Sequence, residues 1–195
     1  MDTDVTPAEH GPEQDPRDEA ADAVVHIVVM GVAGSGKTTV ARLLAERIGV
    51  EYAEADQFHS EANIAKMGAG TPLTDEDRAP WLAAIRDWLS AEADAGRPAV
   101  VTCSALKRTY RDVLRAARGQ VWFLHLDGAP ELLAERMTGR SGHFMPTSLL
   151  PSQLATLEPL ADDEDGLTVD VAAPPEQIVD DVVARCSTTT TRSEP

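Results

Sequence analysis

Gly31-Val32-Ala33-Gly34-Ser35-Gly36-Lys37-Thr38 is the stretch from which the rest of the chain is read. It follows the apolar run Val24-Val25-His26-Ile27-Val28-Val29-Met30 and leads into Thr39-Val40-Ala41-Arg42-Leu43-Leu44-Ala45-Glu46-Arg47-Ile48. The order is strand, glycine loop, amphipathic helix, the setting in which G-x-x-x-x-G-K-[ST] binds phosphate. Glycines adopt backbone angles that a Cβ resists, so successive N–H groups can turn inward on one anion. The loop feeds a helix N-terminus, whose unpaired N–H groups and dipole also favour negative charge. Lys37 can reach β- and γ-phosphates, and the Thr38 hydroxyl can ligate Mg²⁺. The chain therefore handles a nucleoside triphosphate. Gly31, Ala33, Gly34, Ser35, Gly36, Lys37, Thr38 and Thr39 are the candidate donor-binding residues, Thr38 being the metal ligand.

The 195 residues suit one domain with a full core, and a hydrophobic content of 43% is ordinary for a globular protein. No apolar run approaches the roughly 20 residues of a membrane helix, and the acidic N-terminus carries no secretory or transit pattern. Cys103 and Cys186 are too few for a disulfide framework and fit a reducing, cytoplasmic setting. A net charge of -16 argues against a nucleic-acid partner, because phosphate backbones need clustered Lys and Arg. Residues 1–23 hold eight acidic residues against Arg17 and little to bury, so they read as a disordered acidic tail. Residues 187–195 read as a second, polar tail, leaving one domain over residues 24–186. Positive charge in so acidic a chain must be focused in a cleft.

Within that domain strands and helices alternate. Strands are expected at residues 24–30, 51–55, 99–103, 121–126 and 167–171. Helices are expected after the glycine loop, near 60–66, from the Thr74 cap onward, through Arg115, and over 130–138, 148–157 and 174–186. Thr74 with Asp77 three residues on marks a helix start. Near-continuous apolar strands between helices imply a five-stranded parallel sheet covered on both faces, a three-layer αβα fold. Ligands bind at the carboxyl ends of such strands, so the Gly31 loop, Asp56, the Ser104 segment and Asp127 should share one cleft edge.

Several residues on that edge suit an acceptor. Asp56 can take a proton from an attacking hydroxyl or orient Mg²⁺ through water; an aspartate there also suits a helix cap. Lys66 and Arg78 bracket the turn and cap of residues 67–77. A guanidinium matches a carboxylate bidentately, though two solvated charges would have the same spacing. Ser104 can bond a hydroxyl, and Lys107, Arg108 and Arg111 follow it on a helix that can equally be a solvated basic face. Arg136, Arg140 and His143 sit where a mobile lid would carry charge-stabilising groups to the transferring phosphoryl. No metal cluster emerges from the five histidines, so Mg²⁺ would arrive with the nucleotide.

Taken together these strings resemble the gluconate kinases of the P-loop family, which are similar to shikimate and nucleoside-monophosphate kinases. The matching stretches are residues 31–38, Asp56-Gln57-Phe58-His59, residues 62–67, residues 70–78 with Pro80-Trp81-Leu82, Cys103-Ser104-Ala105-Leu106-Lys107-Arg108 with Tyr110-Arg111, Gly142-His143-Phe144-Met145, and Ser152-Gln153 before Leu157-Glu158. The resemblance implies a P-loop kinase fold with a mobile lid. It implies ATP- and Mg²⁺-dependent phosphorylation of D-gluconate at the 6-hydroxyl, and a cytoplasmic homodimer. It assigns phosphate binding to Lys37 and Thr38, the lid to Arg136 and Arg140, and the sugar-acid site to Asp56, His59, Lys66, Arg78, Ser104, Arg111 and His143, with Lys37, Asp56 and Arg140 catalytic. Asp127 departs from the family pattern and receives no metal role. A kinase of another small acid such as shikimate, a nucleoside-monophosphate kinase and a non-catalytic nucleotide switch are the alternatives. The Asn-Lys-x-Asp string of a guanine reader is not present.

Overall fold

A computed structural model describes residues 20–138 and 147–190. Five strands, β1 (Val25–Met30), β2 (Glu51–Glu54), β3 (Ala99–Thr102), β4 (Gln120–Asp127) and β5 (Gly166–Asp170), form one parallel sheet in the order β2-β3-β1-β4-β5. The helices are α1 (Lys37–Ile48), α2 (Glu61–Gly68), α3 (Asp75–Asp94), α4 (Arg108–Arg115), α5 (Pro130–Thr138), α6 (Leu150–Thr156) and α7 (Pro175–Thr190). The expected five-stranded, three-layer αβα architecture is what the chain adopts.

Strand alternation explains the layers. Ile27 and Val29 of β1 join Leu124 and Leu126 of β4 in a core closed by Val40 and Leu44 of α1 and Val179 and Val182 of α7. Val28 and Met30 face the other way and join Phe123 beneath Trp81, Ile85 and Leu89 of α3 and Leu114 of α4. With both faces covered, most positions on either face are apolar, which is why β1 and β3 read as near-continuous apolar runs, with His26 and the terminal Thr102 as the buried polar exceptions. At the edge, β5 alternates between exposed and half-buried positions.

The chain turns from β1 toward one edge and from β3 toward the other, so the crevice lies beyond their carboxyl ends. There the loop after β1 meets the segment after β3: the Gly31 N–H donates to the Ser104 carbonyl at 3.4 Å. The α3 start is a full capping box, with Asp77 N–H on Thr74 Oγ1 at 3.2 Å and Thr74 N–H on Asp77 Oδ2 at 3.0 Å.

Residues 1–19 and 191–195 of the expected tails, and residues 139–146 with Arg140 and His143 of the expected lid, lie outside the described residues. Packing and helix pass both expected domain limits: Ala21 is buried with Val24 and Ala93, and α7 continues to Thr190. Among the described residues no helix is long and apolar enough to cross a membrane.

Candidate active site

The glycine loop is held where only glycine fits. Gly31 has φ +141°, and a Cβ there would lie 2.6 Å from the Leu126 carbonyl oxygen. Gly34 has φ +81°, and a Cβ would lie 2.7 Å from the Leu133 carbonyl oxygen. These contacts press the loop against the ends of β4 and α5. Lys37 folds back and donates from Nζ to the Val32 carbonyl at 2.9 Å, arching over the loop.

Two cavities flank this loop, and Gly36 lines both. The first, of about 360 Å³, reaches from Ala33, Gly34, Lys37 and Thr38 to Asp56, His59, Arg78 and Ser104. The second, of about 380 Å³, is bounded by Ser35, Thr39, Arg136, Val171 and Pro175. Arg136 is fixed there by a 2.7 Å bond from Nη2 to the Val171 carbonyl. The pair of cavities could hold a nucleotide, its base beside the Arg136 guanidinium in the second, since guanidinium groups stack on aromatic faces, and its phosphates across the loop in the first. The donors fit Mg²⁺ as well, since the Thr38 hydroxyl shares the first cavity with the carboxylates of Glu54 and Asp56, all hard oxygen donors.

The acceptor end is built on β2 and the turn that follows. Asp56 lies inside a 3₁₀ turn, Ala55–Phe58, and the helix cap next to it is supplied by Ser60, whose hydroxyl accepts from Asn63 N–H at 3.2 Å. The capping alternative for Asp56 is thus taken by another residue. Trp81 Nε1 donates to the Ala55 carbonyl at 2.7 Å, and its indole stacks on His59 with centroids 4.3 Å apart and planes 10° apart. Burial, and then the charge of Arg78, push the His59 pKa down to about 4, so the ring is neutral at physiological pH. A neutral imidazole both donates to and accepts from hydroxyls. Arg78 sits 5.7 Å over the Tyr110 ring, which also bonds Asp75 through its hydroxyl. Lys107 closes this group with two 2.8 Å bonds to Asp75.

Cys103 reaches the cavity floor, but burial pushes its thiol up to about 12, so it carries no thiolate at neutral pH. The site therefore offers an acidic residue, a neutral histidine, a serine and an arginine opposite a phosphate cradle. That set suits a hydroxylated acid.

Residues 27–160 match the model of the AAA domain family. The gluconokinase of Gluconobacter oxydans (strain 621H) is 52% identical over 157 residues, covering 80% of this chain and 88% of that protein. The chain belongs to the gluconokinase family. Among solved structures, a sugar kinase from Janibacter sp. HTCC2649 superposes with a TM-score of 0.80 at 58% identity, covering 83% of this chain and 93% of that one. A gluconokinase from Sinorhizobium meliloti 1021 does so with a TM-score of 0.74 at 45% identity, covering 89% and 98%.

Against this gluconokinase framework, the expected residues sort clearly. Asp56, His59, Arg78, Ser104, Lys37 and Thr38 converge on one cavity. Lys66 does not line it; its Nζ pairs with Asp77 Oδ1 at 2.6 Å on the outer side of the α3 cap. Arg111, expected in the sugar-acid site, is not among the residues lining the cavity: it is fully buried and bonds Glu164 through Nε and Nη2 at 2.7 Å each. Breaking such a buried pair typically costs about 3–5 kcal/mol. Asp127 ends β4 in an exposed position and does not line the cavity.

Glu54, Trp81 and Gln153 are among the lining residues that were not in the candidate set. Glu54 accepts from Thr102 Oγ1 at 2.5 Å and from the Tyr52 hydroxyl. Trp81 had the spacing of a core stripe, and it is both core and cavity wall. Gln153 Oε1 accepts the Ala33 N–H at 2.7 Å, tying α6 to the glycine loop. Its Ser152-Gln153 string was visible, but a bond spanning 120 residues leaves no local signal.

Proposed function

We propose that this protein transfers the γ-phosphoryl group of ATP to the 6-hydroxyl of D-gluconate, giving 6-phospho-D-gluconate and ADP. The carrying observation is that Asp56, His59 and Arg78 face the phosphate-binding Lys37 and Thr38 across one cavity, in a chain of the gluconokinase family.

In this reading the loop amides and Lys37 bind the β- and γ-phosphates, and Arg136 borders the base. Arg78 binds the gluconate carboxylate, with His59 and Ser104 on its hydroxyls. Asp56 accepts the O6 proton as the O6–phosphorus bond forms and the bond to the ADP oxygen breaks. Thr38 holds Mg²⁺, which supplies charge neutralisation on the phosphates. Arg140 and His143 complete the reading from the lid. The enzyme is a cytoplasmic homodimer in this account; its few cysteines fit a reducing compartment, and the dimer rests on the family resemblance.

A coupled ADP-release assay over a panel of sugar acids tests the assignment. Gluconate should give the highest kcat/KM, and Asp56→Asn should lower kcat about a hundredfold or more with folding intact. Equal rates without any acceptor would remove the kinase reading, and an unchanged kcat in Asp56→Asn would remove the base.

A further inference from the structure

The buried Arg111–Glu164 pair is not part of the cavity lining, yet it is bonded to the segment after β3, whose Cys103 and Ser104 wall the cavity, and to the segment that follows α6. Beyond its two bonds to Glu164, Arg111 donates from Nη1 to the Ala105 carbonyl at 3.2 Å and to the Glu158 carbonyl at 3.0 Å. It also donates from Nη2 to the Pro159 carbonyl at 3.3 Å. One guanidinium thus gathers three main-chain carbonyls from the segment after β3 and the segment after α6. The two segments are also joined directly, Glu158 N–H to the Leu106 carbonyl at 2.7 Å. Glu164 is itself fixed by the Ala161 N–H at 3.1 Å.

The backbone at the point of contact is strained. Ala105 has φ +44°, the one non-glycine residue with positive φ among the described residues, and it is fully buried. Such conformations persist only where the surroundings over-determine them. Arg111 is the side chain that bonds the Ala105 carbonyl, and Ser104 is the residue immediately before it. Ser104 lines the acceptor cavity, and its carbonyl takes the Gly31 N–H at the root of the phosphate loop. A stable packed core needs no buried charge in this position; apolar replacements of buried ion pairs are often neutral or stabilising.

We infer that Arg111, held by Glu164, is a positioning residue for the acceptor: it pins the strained Ala105 peptide and so aims Ser104 at the sugar acid. The inference rests on the assignment of Ser104 to the acceptor site. Lysine keeps the charge but cannot hold Glu164 bidentately while reaching three carbonyls.

The test is a double-mutant cycle of Arg111→Lys with Ser104→Ala, read as KM for gluconate, KM for ATP, kcat and Tm. The control is Glu92→Gln, which breaks the Arg97–Glu92 pair (2.7 and 3.0 Å) before β3, at the sheet end opposite the cavity. Arg111→Lys should raise the gluconate KM tenfold or more with little change for ATP, and the double variant should lose no more than about twofold beyond Arg111→Lys alone. Glu92→Gln should lower Tm and leave both KM values as they were. Ala105→Gly removes the steric cost of φ +44°, so added to Arg111→Lys it should recover part of the gluconate KM. Glu164→Gln keeps the shape of the partner but loosens its hold on the guanidinium; it should raise the gluconate KM severalfold, and it decides the matter if Arg111→Lys does not fold. An Arg111→Lys effect confined to Tm, fully additive effects in the cycle, or a Glu164→Gln enzyme with native gluconate KM would each overturn the inference, with the Ser104→Ala loss still upholding the acceptor site. A Ser104→Ala enzyme with native kinetics would overturn the acceptor-site assignment itself.

Discussion

Replacing Arg78 with methionine removes the cation from the acceptor cavity while keeping an extended side chain over the Tyr110 ring. A guanidinium–carboxylate contact in a half-open cavity is worth the difference between a charged hydrogen-bonded pair and a hydrated carboxylate, about 2–3 kcal/mol. At 1.36 kcal/mol per decade that is a loss of about 30- to 150-fold in kcat/KM for gluconate. The proposed function puts the nucleotide on the loop and beside Arg136, so the KM for ATP should hold. The assay is initial-rate kinetics with each substrate varied in turn, repeated with D-gluconamide, which keeps every hydroxyl and lacks the negative charge. The native enzyme should prefer gluconate over gluconamide by about the same factor, and Arg78→Met should erase the preference. A second readout is independent of turnover. Arg78 is one of two causes that hold the His59 pKa down, so the His59 ring signal should titrate at higher pH in the variant. A variant that still discriminates gluconate from its amide would refute the ion pair.

Other consequences follow from the same geometry. Gly34→Ala places a Cβ 2.7 Å from the Leu133 carbonyl oxygen at φ +81°, so nucleotide affinity measured by calorimetry should fall at least tenfold; native affinity would show that the loop has room to shift. Stability should decline as pH falls from 6.5 toward 4. Over that range the unfolded chain takes protons that the folded His59 refuses, its pKa being about 4 against 6.5, and burial holds His26 and His125 below their ordinary value too. His59 alone contributes up to about 2 kcal/mol of loss at pH 5, measurable by urea unfolding at pH 7.5 and 5. Below that range Glu164, held low by Arg111, adds to the loss as it protonates. A flat profile between pH 7.5 and 5 would contradict the buried neutral imidazoles.

The fold was legible because its determinants are local and repeated. The runs of β1, β3 and β4 are mostly apolar on both faces, and Thr74 with Asp77 announces α3. Around the glycine loop, strand and helix leave one arrangement. The phosphate half of the site came with it, since eight consecutive residues carry that chemistry. The acceptor half was legible only in part. Asp56, His59, Arg78 and Ser104 sit at strand ends or on the helix that covers them, where topology brings them together. Arg111 misled because its partner lies 53 residues on, inside Ala161-Asp162-Asp163-Glu164, a string with the look of a solvated loop. Nothing nearby distinguishes a buried arginine from the half-buried Arg108, which pairs with Asp163 at the surface. Gln153 was hidden by a still longer separation, 120 residues from Ala33.

The most direct test of the account is the ³¹P NMR spectrum of the product made from ATP, Mg²⁺ and D-gluconate. Transfer to the 6-hydroxyl attaches phosphorus to a CH₂ oxygen, so the proton-coupled signal should be a triplet, formed in equal amount with ADP. A doublet from a secondary position, or ADP formed without a phosphate ester, would contradict it.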